Sequence, residues 1–255
     1  MENIKKVAEI LTKSKRVLFI TGAGVSADSG LPTYRGISGL YNDKNTEDGI
    51  PVETALSVVT LRTRPEITWK YIAQIEARCR AATFNKAHEV IAGMDEYFEN
   101  VTVFTQNIDG FHKAAGSKNI IDIHGDMHRI FCEKCGWKKS IRDFSEIAIP
   151  PVCPDCGSLA RPDVVFYGEQ LPYDKVQKLS KELEKGFDAY FSIGTTSVFP
   201  YIQQPIMLAR AKGRPTIEIN PSDTEVSDIV DIRIRSGAAK AMGEIMKTFL
   251  SIKKK

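Results

Sequence analysis

The chain has 255 residues, 42% of them apolar and 26% charged, which supports a sizeable core and excludes a disordered protein. Its 35 basic and 32 acidic side chains leave a formal charge of +3, too little by itself to argue for nucleic acid. No run approaches the roughly 20 apolar residues needed to cross a bilayer. The N-terminal stretch is broken by Lys13, Lys15 and Arg16 with no cleavage site behind it, so a cytoplasmic protein is expected.

Residues 2–13 place Ile4, Val7, Ala8, Ile10 and Leu11 on one helical face. Arg16 to Ile20 is a short β-branched and aromatic run that ends in a glycine-rich turn, as a buried strand does. Residues 36–84 carry no strand-like run, and their second half, from Pro65, reads as helix. Helical patterns at 87–99, 174–185, 203–212 and 238–250 alternate with strand candidates at 101–105, 120–123, 189–193 and 216–219. Such alternation predicts an α/β fold, a mostly parallel sheet with helices on both faces. Residues 130–160 carry two cysteine pairs, Pro150, Pro151 and Pro154, with almost no apolar periodicity. The expected division is a sheet domain of residues 1–35, 85–129 and 161–255, with 36–84 and 130–160 inserted to form a smaller lobe.

Gly22-Ala23-Gly24-Val25-Ser26-Ala27 follows the first strand directly. Glycines there permit a tight turn and close approach to a pyrophosphate, although a plain strand-to-helix turn has the same spacing. A dehydrogenase would continue into a second strand ending in a ribose-binding acid about 20 residues on. Here the chain runs instead into Gly30-Leu31-Pro32-Thr33-Tyr34-Arg35-Gly36, a loop sequence, which argues against hydride transfer.

Five cysteines, an odd number, argue against a disulfide framework. Cys132-x-x-Cys135 and Cys153-x-x-Cys156, separated by 17 residues, have the spacing of a four-thiolate zinc site. A closed shell of four ligands makes the metal structural. Cys79, in a helical pattern, reads as an ordinary semi-buried thiol. His124 and His128 are spaced i, i+4, but Gly125 argues against a helix between them. His88, next to Asn85 at a helix start, suits a capping or packing role. His112 follows the polar cluster Gln106-Asn107-Ile108-Asp109 at a strand end, and His124 follows the next strand. In a parallel sheet both strand ends face the ligand crevice, where an imidazole can act as general base. From spacing alone, a structural histidine is an equal alternative for His124.

Taken together, Gly22 through Gly36, Thr105-Gln106-Asn107-Ile108-Asp109, His124-Gly125 and the cysteine quartet resemble the sirtuins, NAD-dependent protein lysine deacylases. Arg161 through Glu169, Gly194-Thr195-Thr196 and Ile219-Asn220-Pro221 fit the same pattern. The resemblance implies a Rossmann-like NAD domain and a small lobe made of a helical insertion and a zinc ribbon, as in a prokaryotic-type enzyme with a single catalytic core. It implies that Gly22, Ala23, Gly24 and Asp28 belong to the NAD site, with Thr33, Tyr34 and Arg35 in a loop over the cofactor. Gln106, Asn107 and Asp109 would shape the nicotinamide and ribose pocket, and Gly194, Thr195, Thr196, Asn220, Pro221 and Ala238 would line the adenosine side. Val164, Val165, Phe166 and Gly168 would hold an acyl-lysine peptide as an added strand. His124, helped by Asn107 and Asp109, would be the catalytic base for a reaction that releases nicotinamide and O-acyl-ADP-ribose. One structural Zn2+ would sit on Cys132, Cys135, Cys153 and Cys156.

Two departures from the family pattern bear on function. Members selective for succinyl- or malonyl-lysine carry Tyr-x-x-Arg in the helical insertion, whereas this chain offers Tyr71-x-x-Gln74 or Ile72-x-x-Ile75. Without a cation for the extra carboxylate, a neutral acyl group, acetyl by default, is expected. The stretch from Gly194 to Pro200 is also one residue shorter than the usual family loop. Mono-ADP-ribosyl transfer and a non-catalytic NAD- or acyl-lysine-binding role are the rival functions. Near-balanced charge argues against a nucleic-acid-binding ribbon.

Overall fold

The central strands have no polar face, and such strands are stable only in a parallel sheet covered by helices on both sides. The computed structural model describes residues 2–33 and 46–254. In chain order, α1 (Glu2–Thr12) leads to β1 (Arg16–Thr21), followed by the helical group α2 (Val52–Ala55), α3 (Val58–Thr63) and α4 (Pro65–Arg80). Next come α5 (Lys86–Gly93), β2 (Asn100–Thr105), α6 (Phe111–Ala114) and β3 (Asn119–Asp122). Three strands of a separate sheet follow: β4 (Gly125–Phe131), β5 (Lys138–Ser140) and β6 (Arg161–Val164). The chain ends with α7 (Tyr173–Lys185), β7 (Ala189–Ile193), α8 (Pro200–Ala211), β8 (Thr216–Ile219), β9 (Ile232–Ile234) and α9 (Ala238–Lys253).

The main sheet is parallel throughout, in the order β3-β2-β1-β7-β8-β9. Alternate residues of β1 serve opposite faces. Val17 and Phe19 pack with α1, α5 and α9 through Val7, Leu11, Ile91, Ile245 and Phe249. Leu18 and Ile20 pack with α7 and α8 through Leu183 and Ile206. Phe19 and Phe191, neighbours on β1 and β7, have ring centroids 4.8 Å apart. Burying each such side chain contributes about 1.5–3 kcal/mol, so this central pair anchors the layer between strands and helices. The chain moves outward in one direction from β1 and in the other from β7, which opens a crevice beyond their carboxyl ends.

The strands expected at 189–193 and 216–219 have those bounds, and those at 101–105 and 120–123 are displaced by one residue or less. The helix expected over 87–99 stops at Gly93 and ends in a single tight turn, Met94–Glu96. Strand β9 has only three residues, one of them Arg233, too few for the alternation to show.

The smaller sheet is antiparallel, in the order β5-β4-β6. Its core is shared with α4: Trp69 and Ile72 meet Met127, Ile130, Phe144 and Phe166, and the Trp69 and Phe144 rings lie 5.5 Å apart. The boundaries expected at 129/130 and 160/161 cut across this sheet, because β4 begins at Gly125 and β6 runs to Val164. Among the described residues no helix is long and apolar enough to cross a membrane.

Candidate active site

The loop after β1 and the loop after β7 touch backbone to backbone. Gly22 N–H donates to the Ile193 carbonyl at 3.1 Å, and Gly24 N–H to the Gly194 carbonyl at 2.8 Å. A Cβ on Gly24 would lie 2.6 Å from Gly194 Cα, and one on Gly194, whose φ is +59°, would lie 2.3 Å from Val25 N. The glycines that the sequence linked to a pyrophosphate thus serve first to let two loops meet, and two of their amides are engaged within the chain. Ala23 forms the tight turn between them.

Around this contact the polar residues interlock. Gln106 Nε2 donates to Thr195 Oγ1 at 2.8 Å, and Asn220 Nδ2 donates to the Thr195 carbonyl at 3.1 Å. Asn107 Nδ2 donates to the Gly22 carbonyl at 3.1 Å and to Ser26 Oγ at 3.3 Å. Ser26 Oγ in turn donates to Asp109 Oδ2 at 2.7 Å, while Phe111 N–H holds Asp109 Oδ1. Burial raises the Asp109 carboxyl above its ordinary value in spite of these two donors. A cleft of about 440 Å³ opens here, lined by Ala23, Ser26, Leu31, Pro32, Ile75, Arg78, Asn107, Ile108 and Asp109. It lies between the β1 and β2 loops of the main sheet and helix α4.

His124 sits just past β3. Its Nδ1 is 3.1 Å from the Gln106 carbonyl, which can only accept, so Nδ1 carries the proton and Nε2 presents a lone pair. Nε2 lies 2.7 Å from Tyr201 Oη. Burial pushes the imidazole down to about 4, and Lys175 adds to the effect. The ring does not line the 440 Å³ cleft; it stands one residue away, through Gln106.

The four cysteine sulfurs lie within 4.8 Å of one another, with Cys132–Cys156 and Cys135–Cys153 both at 3.5 Å. Four thiolates about 2.3 Å from a tetrahedral zinc stand roughly 3.8 Å apart, so the set fits the ion. The two knuckles repeat one design. Gly136 N–H bonds the Cys132 carbonyl and Gly157 N–H the Cys153 carbonyl, both at 3.0 Å, and both glycines have positive φ. The glycine after each second cysteine was a signal present in the sequence and not used.

A model of the Sir2 family matches residues 22–200. The chain belongs to that family. NAD-dependent protein deacylase 2 of Pseudomonas aeruginosa is 44% identical over 246 residues, 95% of this chain and 96% of that protein. NAD-dependent protein deacylase 1 of Caldanaerobacter subterraneus is 35% identical, covering 93% and 96%. A Sir2 homologue variant in complex with ADP-ribose superposes with a TM-score of 0.89 at 32% identity, over 98% of this chain and 97% of the other. A Sir2 homologue bound to NAD gives 0.86 at 32% identity, over 97% and 94%.

Several positions of this Sir2-family chain differ from the simple expectation. Asp28 is exposed and its Oδ2 accepts from Ala239 N–H at 2.8 Å, which ties the β1 loop to the start of α9 beside the buried Ala238. Tyr34 and Arg35 lie outside the described residues, and Thr33 is the last position described before them. Pro221 is exposed and Thr196 half-buried at the far side of the loops. Along the expected peptide-binding stretch, Val164 and Phe166 are buried in the small unit's core. Val165 N–H bonds the His124 carbonyl, Phe166 N–H bonds Glu169, and Tyr167 bonds Leu56 and Val58 through N–H and C=O. Half-buried Val165 and exposed Gly168 are the parts of that stretch that face outward. Tyr71 is buried with its hydroxyl on Asp48, and Gln74 is exposed, whereas Ile75 and Arg78 border the cleft. Ser26, Ile75, Arg78, Phe199 and Tyr201 were not anticipated as site residues. Only Ser26, inside the glycine motif, carried a sequence signal.

His88 and His112 lie behind the site, with ring centroids 4.8 Å apart. His88 Nδ1 accepts from Asn85 N–H and completes a capping box at the start of α5, as its position suggested. His112 Nε2 lies 3.0 Å from Thr21 Oγ1. His88 Nε2 and His112 Nδ1 are buried without partners. Burial pushes His88 down to about 4 and His112 well below its ordinary value, with His88 adding to the latter.

Two outcomes follow for stability. Both histidines protonate more readily in the unfolded chain than in the native one, so their stabilising effect is complete above about pH 6.5 and declines as pH falls toward 4. Thermal midpoints should drop across that window, and His88→Asn, which keeps a cap acceptor, should flatten the drop. The metal should be present at about one zinc per chain by elemental analysis. Chelation should lower the thermal midpoint, and Cys132→Ser should abolish stoichiometric zinc.

Proposed function

We propose that the chain removes acyl groups from protein lysines at the expense of NAD, with His124 as general base. The observation that carries the proposal is the pair of bonds on that imidazole. The Gln106 carbonyl holds the proton on Nδ1, so Nε2 carries the lone pair, on which the Tyr201 hydroxyl sits, one residue back from the cleft lined by Asn107 and Asp109. NAD would supply the ribose: its bond to nicotinamide breaks, nicotinamide leaves, and the amide oxygen of the acyl-lysine bonds to the freed C1′. His124 Nε2 takes the proton of a ribose hydroxyl so that its oxygen can attack. Asn107, fixed by Gly22 and Ser26, and Asp109, fixed by Ser26 and Phe111, orient the ribose and nicotinamide in the 440 Å³ cleft. Gln106, Thr195 and Asn220 form the polar seam that continues toward the adenosine end, with Gly194, Thr196, Pro221 and Ala238 beside it. The acyl-lysine peptide would run past Val165 and Gly168, and because Val165 N–H bonds the His124 carbonyl, docking there sets the peptide's position against the base. The chain would work in the cytoplasm, with the sheet domain binding NAD and the helical insertion and zinc ribbon forming the opposite wall of the cleft.

The acyl group is neutral in this reading, acetyl first. Arg78 brings a guanidinium to the cleft, but it is exposed, and a cation screened by water does little to offset burying a carboxylate.

Mass spectrometry of acetyl-, succinyl- and myristoyl-lysine peptides, with and without NAD, tests this. Acetyl-lysine should be converted only with NAD and yield one O-acetyl-ADP-ribose per turnover. Faster removal of succinyl would overturn the neutral-acyl reading and assign the anion to Arg78. ADP-ribose attached to a protein, without deacylation, would move the function to ADP-ribosyl transfer. His124→Ala should lower kcat on the order of 10²- to 10⁴-fold while the fold persists, and a folded variant with near-normal turnover would remove the base from His124. The base must be neutral to act, so its activity is lost as pH falls through its folded value. In kcat/KM that acid limb should lie near pH 4, far below an ordinary histidine.

A further inference from the structure

The hydrogen-bonding position on His124 that a substrate hydroxyl must occupy is already filled. Because Nδ1 donates to the Gln106 carbonyl, Nε2 has a single lone pair, and Tyr201 Oη stands 2.7 Å from it. The phenol is the donor in this bond, since the imidazole has no second proton to give. Burial, with a smaller effect of Tyr167, pushes the phenol up to about 12, so it remains a neutral donor across the working pH range.

The contact is built by the fold. Tyr201 lies in the first turn of α8, behind Pro200, and its ring stacks on Phe199 with centroids 5.4 Å apart and planes 13° apart. His124 meets both rings edge-on, at 6.2 Å from Phe199 and 6.0 Å from Tyr201. The two aromatics thus form one wall of the imidazole's surroundings, and the hydroxyl reaches the base from that wall.

We infer that Tyr201 is a gate on the base: its hydroxyl takes the place of the ribose hydroxyl in the substrate-free enzyme and is displaced when the nucleotide binds. One lone pair cannot serve two donors, so the Tyr201 bond has to break before Nε2 can accept the ribose proton. The displacement costs binding free energy and protects a buried, unprotonated base until its substrate arrives. The inference rests on His124 being the base, as proposed above.

Tyr201→Phe removes the hydroxyl and keeps the ring on Phe199. ADP-ribose, which carries the hydroxyls and does not react, is the probe. Calorimetry should show it binding roughly three- to tenfold tighter to the variant, the range one lost hydrogen bond allows. In turnover the gain should fall on KM for NAD, because the phenol has already left in the ternary complex. The acid limb of kcat/KM should rise, since the neutral imidazole loses a donor, while that of kcat stays in place. Lys175, the other charge acting on the ring, is unchanged by the substitution. An independent readout is the ¹⁵N resonance of His124 Nε2 at neutral pH. It should move when Tyr201 is replaced and, in the wild type, when ADP-ribose is added. Unchanged ADP-ribose affinity, or a kcat lowered at constant KM, would overturn the gate and make Tyr201 an orienting residue. His124→Ala separates the two ideas: an inactive His124→Ala with an unresponsive Tyr201→Phe leaves the base intact and removes only the gate. An active His124→Ala removes both.

Discussion

Everything at the centre of this molecule depends on two loops meeting without side chains between them. The backbone hydrogen bonds from Gly22 and Gly24 to Ile193 and Gly194 clamp the carboxyl ends of β1 and β7 together. With any Cβ at Gly24 or Gly194 the loops would have to separate. Separation would carry Thr195, on the β7 loop, away from Gln106, which the β2 loop holds beside β1. Gln106 and Thr195 are therefore held together by a backbone contact to which no side chain contributes. In this family chain the glycine motif is first a packing motif, and its value for binding a dinucleotide follows from the geometry it permits.

A second dependence runs through the small unit. Its core joins α4 to the β4 sheet, and the metal closes the far end of that sheet, where Cys132 follows β4 and Cys156 precedes β6. Among the described residues, β4 and β6 tie the ribbon back to His124: Gly125 pairs with Val164, and Val165 N–H holds the His124 carbonyl. A Cβ at Gly125 would lie 1.9 Å from the Asp163 carbonyl oxygen, so the residue after the histidine has to be glycine for the strands to close. A structural metal thus supports the backbone position of His124 from the far end of the same sheet.

Much of this was legible in the sequence. The buried strands showed because parallel strands covered on both faces are near-continuous apolar runs, as in β1 and β7. The cysteine quartet and the polar cluster Gln106 to Asp109 showed because their chemistry needs particular residue types at fixed spacing. The rest was hidden for physical reasons. Strands β4 and β6 mix polar and apolar residues without a clean alternation, and their apolar side chains pack into the core they share with α4. Ile75 and Arg78 reach the cleft from a helix of another unit, a tertiary placement that no local pattern encodes. The bond from Ala239 N–H to Asp28, which ties the β1 loop to the first turn of α9, spans 211 positions and leaves no local signal. Tyr201 fell just before the helical pattern expected at 203–212, and only the observed start of α8 at Pro200 places it on the helix.

The short loop between β7 and α8 accounts for how that aromatic reaches the base. Ser197, a residue with a side chain, sits at a φ of +56°, a left-handed conformation that costs on the order of 1–2 kcal/mol. Its neighbours hold it there: Ser197 N–H donates to Thr195 Oγ1 at 3.1 Å, and Gln203 Nε2 donates to the Ser197 carbonyl at 2.7 Å. Each hydrogen bond contributes about 1 kcal/mol net, enough for the pair to offset the strain. Thr195 Oγ1 also accepts from Gln106, whose carbonyl fixes the His124 tautomer. The strained turn, the wall of Phe199 and Tyr201 and the orientation of the His124 imidazole are consequently joined through hydrogen bonds on Thr195, Gln106 and Tyr201. The turn held at Ser197 leads directly into Phe199 and the first turn of α8, and so sets Tyr201 against His124.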